Sequence, residues 1–282
     1  MTVTLTTLCE NMSGIQKILA EWGQSILIET RDVSILFDTG RTTVALMNAD
    51  HLGIDLAKID TIVLSHSHVD HTGGLRGFLQ RMGQKTIVAH PAVWEKKYTK
   101  RQHEPDIVYN GIPFTREELE SLGGSFILTR EPYALSDTIM TTGEVEMTTD
   151  YEHVEDNIFV KSGGRFVHDP LPDDLAIIIR TGEGLVIVLG CAHRGAVNTI
   201  RHAQNITGEA RVYAVIGGSH LYRASEERIK RTIDDMRQAG VQKIGLSHCT
   251  GFRASMMMAR AFGDDFSPIT QGRRLHCPDD LR

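Results

Sequence analysis

One short segment, Ser65–His71 (SHSHVDH), carries the residue types best suited to chemistry. His66 and His68 are two positions apart, so in an extended loop both imidazoles point to the same side and bind one metal ion. Asp70 and His71 follow after the chain turns, where they serve a second ion nearby. Neutral imidazole and carboxylate groups suit Zn, Mn or Fe. The alternatives, a His-rich surface loop or a set of helix caps, do not account for four such side chains directly after an apolar strand.

Two further segments rich in small residues contribute candidate ligands. Cys191 and His193 share the segment GCAHRG, and a thiolate is a good zinc ligand. Both residues are therefore candidate metal ligands. In the segment SHCTG, His248 is a further candidate ligand, and Cys249 is predicted as a packing residue. The competing interpretations are a small buried residue at Cys191, and a substrate contact or structural hydrogen bond at His193.

Three side chains are candidates for roles beyond simple metal binding. We expect Asp70 to act in catalysis as well, by holding a water molecule while it binds metal. His220, in the segment GGSHL, is predicted as a general acid or a substrate contact, because a perturbed histidine suits proton transfer. The alternative for His220 is a structural role. Asp38 is expected to orient a ligand histidine, as metal-binding imidazoles usually require, or else to cap a turn.

The segments with candidate histidines each follow a short apolar strand. The predicted strands are Thr61–Leu64, Leu185–Leu189, Val212–Ile216 and Lys243–Leu246. Loops at strand ends are where α/β folds build their sites. The positions of the candidate residues therefore favour a functional site over scattered surface histidines.

The rest of the chain supplies further predicted elements. The segments Ser25–Thr30 and Val33–Phe37 predict a hairpin. Helices are predicted over Thr42–Leu52, Val197–Gln204, Ser225–Gln238 and Ser255–Phe262. The middle, residues 94–170, is richer in charge and Pro and is predicted to be an insertion or cap. Within it, Thr115 and Glu118 predict a capping box. The basic run Lys96–Arg101 is predicted as a solvated face, with a phosphate-binding patch as the alternative.

The composition excludes several classes of protein. The 282 residues are 41% hydrophobic and 23% charged, which is ordinary for a soluble globular protein. The net charge of −6 gives no general attraction to nucleic acid or anionic lipid. The longest apolar run, Leu185–Leu189, is far below the roughly 20 residues that span a bilayer, so no membrane segment is predicted. Four dispersed cysteines and no visible secretory signal predict a cytoplasmic protein. The methionines Met256–Met258 fit either the core or a contact in a homo-oligomer.

The motif His66-x-His68-x-Asp70-His71 resembles the signature of the metallo-β-lactamase superfamily, and the upstream segment LFDTG resembles its early strand and turn. The resemblance implies an α+β protein with a four-layer αββα sandwich and a metal site at one edge of its two sheets. Residues 1–93 and 171–282 would form this core as a single domain, and residues 94–170 the inserted α+β segment or cap.

A narrower resemblance covers nearly the whole chain. The strings GQSILIE, LFDTG, LSHSHVDHTGGL, TGE, DDLA, GCAHRG, IGGSHL and SHCTG occur in order. They are similar to the subgroup of dihydropterin–aminobenzene ribofuranosyl phosphate synthases, many of whose members are called metal-dependent hydrolases. The chain departs from the subgroup at Gly143–Met147, where relatives often have Gly-Glu-Ile-Pro-Arg. It departs from the superfamily at Cys191, where an Asp is usual, and lacks a His in register before that strand. The resemblance implies that Cys191 takes the place of that Asp as a metal ligand and that His248 is a ligand of the second metal. His193, which shares a loop with Cys191, would replace the missing His and complete the first metal site, with His168 or a weak first site as the alternatives.

The resemblance implies an enzyme with two divalent metal ions, with Zn as the expected metal and Mn, Fe or Mg as alternatives. Such ions act as Lewis acids and as a source of hydroxide. The subgroup's reaction couples a pterin-methyl diphosphate to an aminobenzene ribosyl phosphate, so a small phosphate-bearing substrate is expected. The alternatives are a hydrolase of a phosphodiester, cyclic nucleotide or lactone, and a non-catalytic metal- or ligand-binding protein.

Overall fold

The computed structural model describes residues 3–100 and 106–277, and Arg101 of the basic run lies outside them. The strands in these residues are β1 (Val3–Cys9), β2 (Ser25–Glu29), β3 (Ser34–Phe37), β4 (Thr61–Val63), β5 (Lys85–Ala89), β6 (Lys97–Lys100), β7 (Ile107–Tyr109), β8 (Gly124–Leu128), β9 (Ile139–Thr141), β10 (Ile158–Ser162), β11 (Arg165–His168), β12 (Ala176–Thr181), β13 (Gly184–Leu189), β14 (Val212–Gly218), β15 (Val241–Ser247) and β16 (Arg274–Cys277). The α-helices are α1 (Val44–His51), α2 (Val69–Thr72), α3 (Leu75–Met82), α4 (Arg116–Ser121), α5 (Ala196–Thr207), α6 (Glu226–Gln238) and α7 (Phe252–Phe262).

Two large mixed sheets form the centre of the described chain. One has seven strands in the order β16-β1-β2-β3-β4-β5-β8, and the other has five in the order β15-β14-β13-β12-β9. Strands β3, β4, β5 and β8 run parallel, as do β13, β14 and β15. The predicted hairpin forms as the antiparallel pair β2–β3. The carboxyl ends of parallel neighbours lie at the same edge of a sheet, so the loops that follow these strands come together there.

Alternating side chains pack the two sheets against each other and against helices. On β12, Ile177 and Ile179 lie in the core between the sheets, whereas Ile178 points to the opposite face. That opposite face is covered by apolar residues of α5, α6 and α7. Helices α1 and α3 cover the outer face of the seven-stranded sheet. The predicted four-layer αββα sandwich is therefore confirmed.

The residues predicted as an insertion or cap, 94–170, are distributed over three sheets. Strand β8 joins the seven-stranded sheet and β9 joins the five-stranded sheet. Strands β6, β7, β10 and β11 form a separate four-stranded sheet in the order β11-β10-β6-β7. The part outside the two large sheets is thus narrower than residues 94–170, because β8 and β9 each hydrogen-bond to a strand of the core.

Local capping follows the sequence closely. Ser225 accepts a hydrogen bond from Arg228 N–H at the start of α6, and Thr115 accepts one from Glu118 N–H at the start of α4. The basic run behaves differently at one position, because Lys97 is fully buried instead of solvated. Among the described residues, no helix combines the length and apolarity that crossing a bilayer requires.

Candidate metal centre

The loops after β3, β4, β13, β14 and β15 converge and bring the predicted site residues together. Four residues other than glycine in these loops have positive backbone φ angles: Asp38 at 61°, Ala192 at 51°, His220 at 47° and His248 at 51°. Such angles are uncommon for residues other than glycine and often mark functional sites. The backbone is therefore held in unusual conformations where it presents these side chains.

The first donor group consists of His66, His68 and His193, whose candidate ligand atoms all lie within 4.8 Å of one another. His66 Nε2 is 3.0 Å from His68 Nδ1. The His193 ring centroid is 5.0 Å from that of His66 and 4.9 Å from that of His68. The structure thus brings His193 to this group. His168, the alternative, is exposed on β11, where its Nε2 lies 3.2 Å from the Glu155 carbonyl oxygen.

The second donor group consists of Asp70, His71 and His248. Asp70 Oδ2 lies 3.5 Å from His248 Nε2 and 4.0 Å from His71 Nε2. Cys191 lies at the boundary of the two groups, with its Sγ 3.1 Å from His71 Nε2. His66, His71 and Cys191 also form a donor group of their own. The side chains of the seven predicted metal-ligating residues therefore form one continuous cluster in space.

Electrostatics leave most of these donors in the forms that bind metal, whereas burial raises the pKa of the Cys191 thiol well above its usual value and the Asp38 carboxylate raises the pKa of His71. Burial and the neighbouring imidazoles lower the pKa of His66 and of His193 well below the usual value, and burial lowers that of His248 to about 3. Burial raises the pKa of Asp70, but the imidazoles of His71 and His248 outweigh it and bring the value to about 2. Neutral imidazoles beside an ionised carboxylate are the ligand forms that a divalent cation requires.

Asp38 holds His71 in place. The His71 Nδ1–H group donates to Asp38 Oδ2 at 2.7 Å, and both residues are fully buried. Ser65 fixes the carboxylate by donating from its backbone N–H at 2.7 Å and from its hydroxyl at 2.7 Å. With Nδ1 committed to Asp38, the Nε2 lone pair of His71 faces the donor group. This geometry favours the orienting role of Asp38 over a turn cap.

Unpartnered buried nitrogens provide the test of whether a cation fits. The Nε2 atoms of His68, His193 and His248 are buried and have no hydrogen-bond partner. Buried polar atoms are nearly always satisfied, so each such nitrogen calls for an explanation such as an ion. Three of them within the two donor groups fit metal ions bound by these residues.

The sequence predicts Cys249 as a packing residue, but the structure places its thiol beside candidate ligands. It is buried, and it forms a candidate donor group with Cys191 and His248. Its Sγ also accepts a hydrogen bond from His220 N–H at 3.2 Å. The sequence signal was available, since Cys249 adjoins His248, but adjacent residues rarely point to the same place. The tight turn after β15, with His248 at positive φ, brings Cys249 inward.

His220 lies beside the first donor group. Its ring centroid is 3.9 Å from that of His193, and its Nδ1 is buried without a partner. Its Nε2 lies 3.1 Å from Glu155 Oε1. Glu155 comes from the segment between β9 and β10 and was not predicted as a site residue. No local motif marks it, because its place depends on how the middle of the chain folds back over the core.

A cavity of about 360 Å³ opens onto these residues. His68, Asp70, His193, His220 and His248 line it on one side, together with both cysteines. Its remaining wall includes two arginines and two aromatic residues, namely Trp22, Arg41, Tyr222 and Arg223. The cavity thus places cationic and aromatic groups near the candidate ligands.

Comparison with known proteins agrees with the fold. A sequence profile of the metallo-beta-lactamase superfamily matches residues 23–201, which include the Ser65–His71 and Cys191–His193 segments. The chain belongs to this superfamily. Its fold, its superfamily and its donor groups together define a metal-dependent protein.

Relatives narrow the comparison. The chain is 36% identical to the 7,8-dihydropterin-6-methyl-4-(beta-D-ribofuranosyl)-aminobenzene-5'-phosphate synthase of Methanocaldococcus jannaschii, over 96% of this chain and 95% of the relative. The crystal structure of Tm1679, described as a metal-dependent hydrolase of the beta-lactamase superfamily, matches with a TM-score of 0.83 and 28% identity. That match covers 97% of this chain and 98% of Tm1679. Zn(2+)-bound PqqB from Methylobacterium extorquens shares the fold, with a TM-score of 0.58 at 10% identity over 96% of this chain and 99% of PqqB.

Proposed function

We propose that this protein is an enzyme with a dinuclear metal centre that acts on a small phosphate-bearing substrate, in the manner of the M. jannaschii synthase. The observation that carries the proposal is the pair of adjacent donor groups at one cavity, in a chain that matches that synthase over nearly its full length. His66, His68 and His193 would hold the first ion. Asp70, His71 and His248 would hold the second, with Cys191 between them.

The metal ions and the residues of the site would have different chemical roles. Divalent ions held here, with Zn expected, would supply Lewis acidity that stabilises negative charge on phosphate oxygens. Asp70 adds an ionised carboxylate within reach of both His71 and His248. His220 presents its unpartnered Nδ1 beside the first donor group, where it would exchange a proton with the substrate.

The cavity wall supports a substrate with both phosphate and aromatic parts. Arg41 and Arg223 offer guanidinium groups, which suit phosphate oxygens. Trp22 and Tyr222 meet edge to face with centroids 5.7 Å apart, and each remains substantially exposed, at 46% and 39%. Exposed rings at a cavity provide a stacking surface for a planar heterocycle. In the coupling that we propose, an aromatic amine displaces diphosphate from a pterin-methyl group, so a C–N bond forms, a C–O bond breaks and the amine loses a proton.

Direct turnover tests this proposal. The Zn-, Mn- or Mg-loaded protein is mixed with 7,8-dihydropterin-6-methyl diphosphate and 4-(β-D-ribofuranosyl)aminobenzene 5'-phosphate, and diphosphate and coupled product are quantified. We expect product formation that needs both substrates and is abolished in His68→Ala. The matched control, His51→Ala, changes an exposed histidine of α1 and should retain activity. Absence of turnover with every metal would contradict the proposal.

A second candidate is a metal-dependent hydrolase of a phosphodiester, cyclic nucleotide or lactone. The match to Tm1679 at 28% identity over almost the whole chain favours it. Hydrolysis of bis-p-nitrophenyl phosphate that disappears in His68→Ala, without any coupling activity, would select this candidate. A non-catalytic binding role would instead give metal binding without either reaction.

We propose a cytoplasmic location because the four cysteines are dispersed along the sequence and buried in the structure. The net charge of −6 supports a small-molecule substrate over nucleic acid. Assembly into a homo-oligomer stays a prediction.

A further inference from the structure

One carboxylate, Glu155, contacts two imidazoles of the site at once. Its Oε2 is 3.5 Å from His193 Nδ1, and its Oε1 is 3.1 Å from His220 Nε2. The Glu155 side chain is 22% exposed, while the His193 side chain is 1% exposed. Each carboxylate oxygen therefore faces a different ring, and the two rings contact each other with their planes tilted by 40°.

These contacts determine which nitrogen of each ring remains free. A carboxylate accepts hydrogen bonds, so His193 donates from Nδ1–H and His220 donates from Nε2–H. The other nitrogen of each ring, His193 Nε2 and His220 Nδ1, is the buried atom without a partner. Glu155 thus accounts for the tautomer in which His193 turns its Nε2 lone pair toward His66 and His68.

The segment that carries Glu155 is anchored independently. Glu152, three residues earlier, accepts hydrogen bonds from Val197 N–H at 3.0 Å and Asn198 N–H at 2.8 Å at the start of α5. The Glu155 carbonyl oxygen accepts from Ile158 N–H at 3.3 Å. Because the backbone on both sides of Glu155 is held, its carboxylate reaches the site from a fixed position.

We propose that Glu155 is a positioning residue that orients His193 for metal binding and His220 for proton exchange. The inference rests on the proposed metal centre and adds a residue to it that no local sequence motif reveals. Asp38 performs the corresponding task for His71 in the second donor group. Each donor group would then have its own orienting carboxylate, one from the loop after β3 and one from the middle of the chain.

Metal affinity measured without substrate tests this role. Zn²⁺ affinity is determined by competition with a chromophoric chelator for the wild type, Glu155→Gln and Asp156→Asn. The amide of Glu155→Gln can accept from only one of the two rings, so we expect Zn²⁺ affinity at one site to fall about 10- to 100-fold. Glu155→Asp, which keeps the carboxylate, should recover part of that loss. Asp156→Asn removes the same charge from the exposed neighbouring residue and should leave the affinity within about twofold.

A second variant tests whether the change in Zn²⁺ affinity arises through His193 or through His220. If Glu155 orients His193, Glu155→Gln lowers Zn²⁺ affinity to the same extent in a His220→Ala background. Thermal unfolding of the metal-free variants shows whether they fold like the wild type. Unchanged affinity in a folded Glu155→Gln protein, with two metal sites intact in the wild type, would overturn the role of Glu155 and leave the proposed function standing. A wild type that binds no metal would overturn both.

Discussion

At the scale of single residues, the candidate site depends as much on the groups that hold the imidazoles as on the imidazoles themselves. His71 has one nitrogen committed to Asp38 and the other turned toward Asp70 and Cys191. Burial opposes protonation of His71, but the adjacent Asp38 carboxylate outweighs it and raises the pKa of His71. A cation bound at Nε2 would replace the proton that Asp38 would otherwise favour.

Replacing Asp38 with Asn tests this support. The substitution keeps the shape but offers a weaker, uncharged acceptor to His71 Nδ1–H, so we expect metal affinity of the second donor group to fall about 10- to 100-fold. Equilibrium competition with a chelator measures the change. Asp264→Asn, at an exposed position after α7, is the matched control. Equal affinities in the two variants would show that Asp38 serves the fold alone.

At the scale of elements, the four-stranded sheet is joined to the site by buried charges. Lys97 on β6 lies 2.8 Å from Asp169 Oδ2 and 3.2 Å from Asp173 Oδ1. Asp173 Oδ2 in turn accepts a hydrogen bond from Ser67 N–H, between His66 and His68, at 2.9 Å. Burial disfavours the charge on Lys97, but the two aspartates outweigh it and raise its pKa. Asp173 thus connects the loop that carries His66 and His68 to Lys97 of β6.

Replacing Lys97 with Met should destabilise the protein strongly. It leaves Asp169 and Asp173 buried without their cation, and breaking such a pair costs about 3–5 kcal/mol. Urea unfolding followed by circular dichroism measures the free energy of unfolding. Lys96→Met, at the exposed neighbouring position, should change it by less than about 0.5 kcal/mol. A loss below about 1 kcal/mol in Lys97→Met would contradict the role assigned to this ion pair.

The start of α5 offers a second test at this scale. Glu152 accepts from two of the backbone N–H groups at that end, and Gly195 at φ 105° leaves the space that its carboxylate fills. Glu152→Ala removes both acceptors, so we expect a loss of about 1–2 kcal/mol in unfolding free energy. Glu131→Ala, an exposed glutamate in a loop, is the control. Equal unfolding free energies for the two variants would show that α5 does not need this cap.

The sequence predicted those parts of the structure that local residue patterns determine. Strand-then-histidine segments predicted the loops that meet at the site, and Ser225 predicted the start of α6. The roles of Lys97, Glu152 and Glu155 were not predicted. Glu155 is 38 positions from His193, and Glu152 is 45 positions from Val197. Their roles arise only when residues 94–170 pair with three different sheets, and a charged residue in an irregular segment looks solvated until its distant partner is known.

At the scale of the whole molecule, the donor groups connect both halves of the sandwich. His66, His68, Asp70 and His71 follow a strand of the seven-stranded sheet, while Cys191, His193 and His248 follow strands of the five-stranded sheet. An ion bound by His66, His68 and His193 would therefore link the two sheets where the loops that follow their strands meet. A ligand that binds only the folded state adds to its stability by mass action.

Metal removal should consequently lower the stability of the entire fold. Free metal at 100 times its dissociation constant contributes about 2.7 kcal/mol per site. We expect the melting temperature to fall on treatment with a chelator and to recover when Zn²⁺ is restored, as followed by differential scanning calorimetry. In a variant that lacks both His68 and His248 the chelator should have little effect. An unchanged melting temperature in the wild type would contradict a metal link between the sheets.

The central claim is that two metal ions bind side by side in this site, and elemental analysis tests it most directly. The purified protein, saturated with Zn²⁺ and passed through a desalting column, is compared with His68→Ala, His248→Ala and His51→Ala. The account predicts about two equivalents per chain in the wild type and in His51→Ala, and about one in each of the other variants. One equivalent or none in the wild type, or two retained in both His68→Ala and His248→Ala, would contradict it.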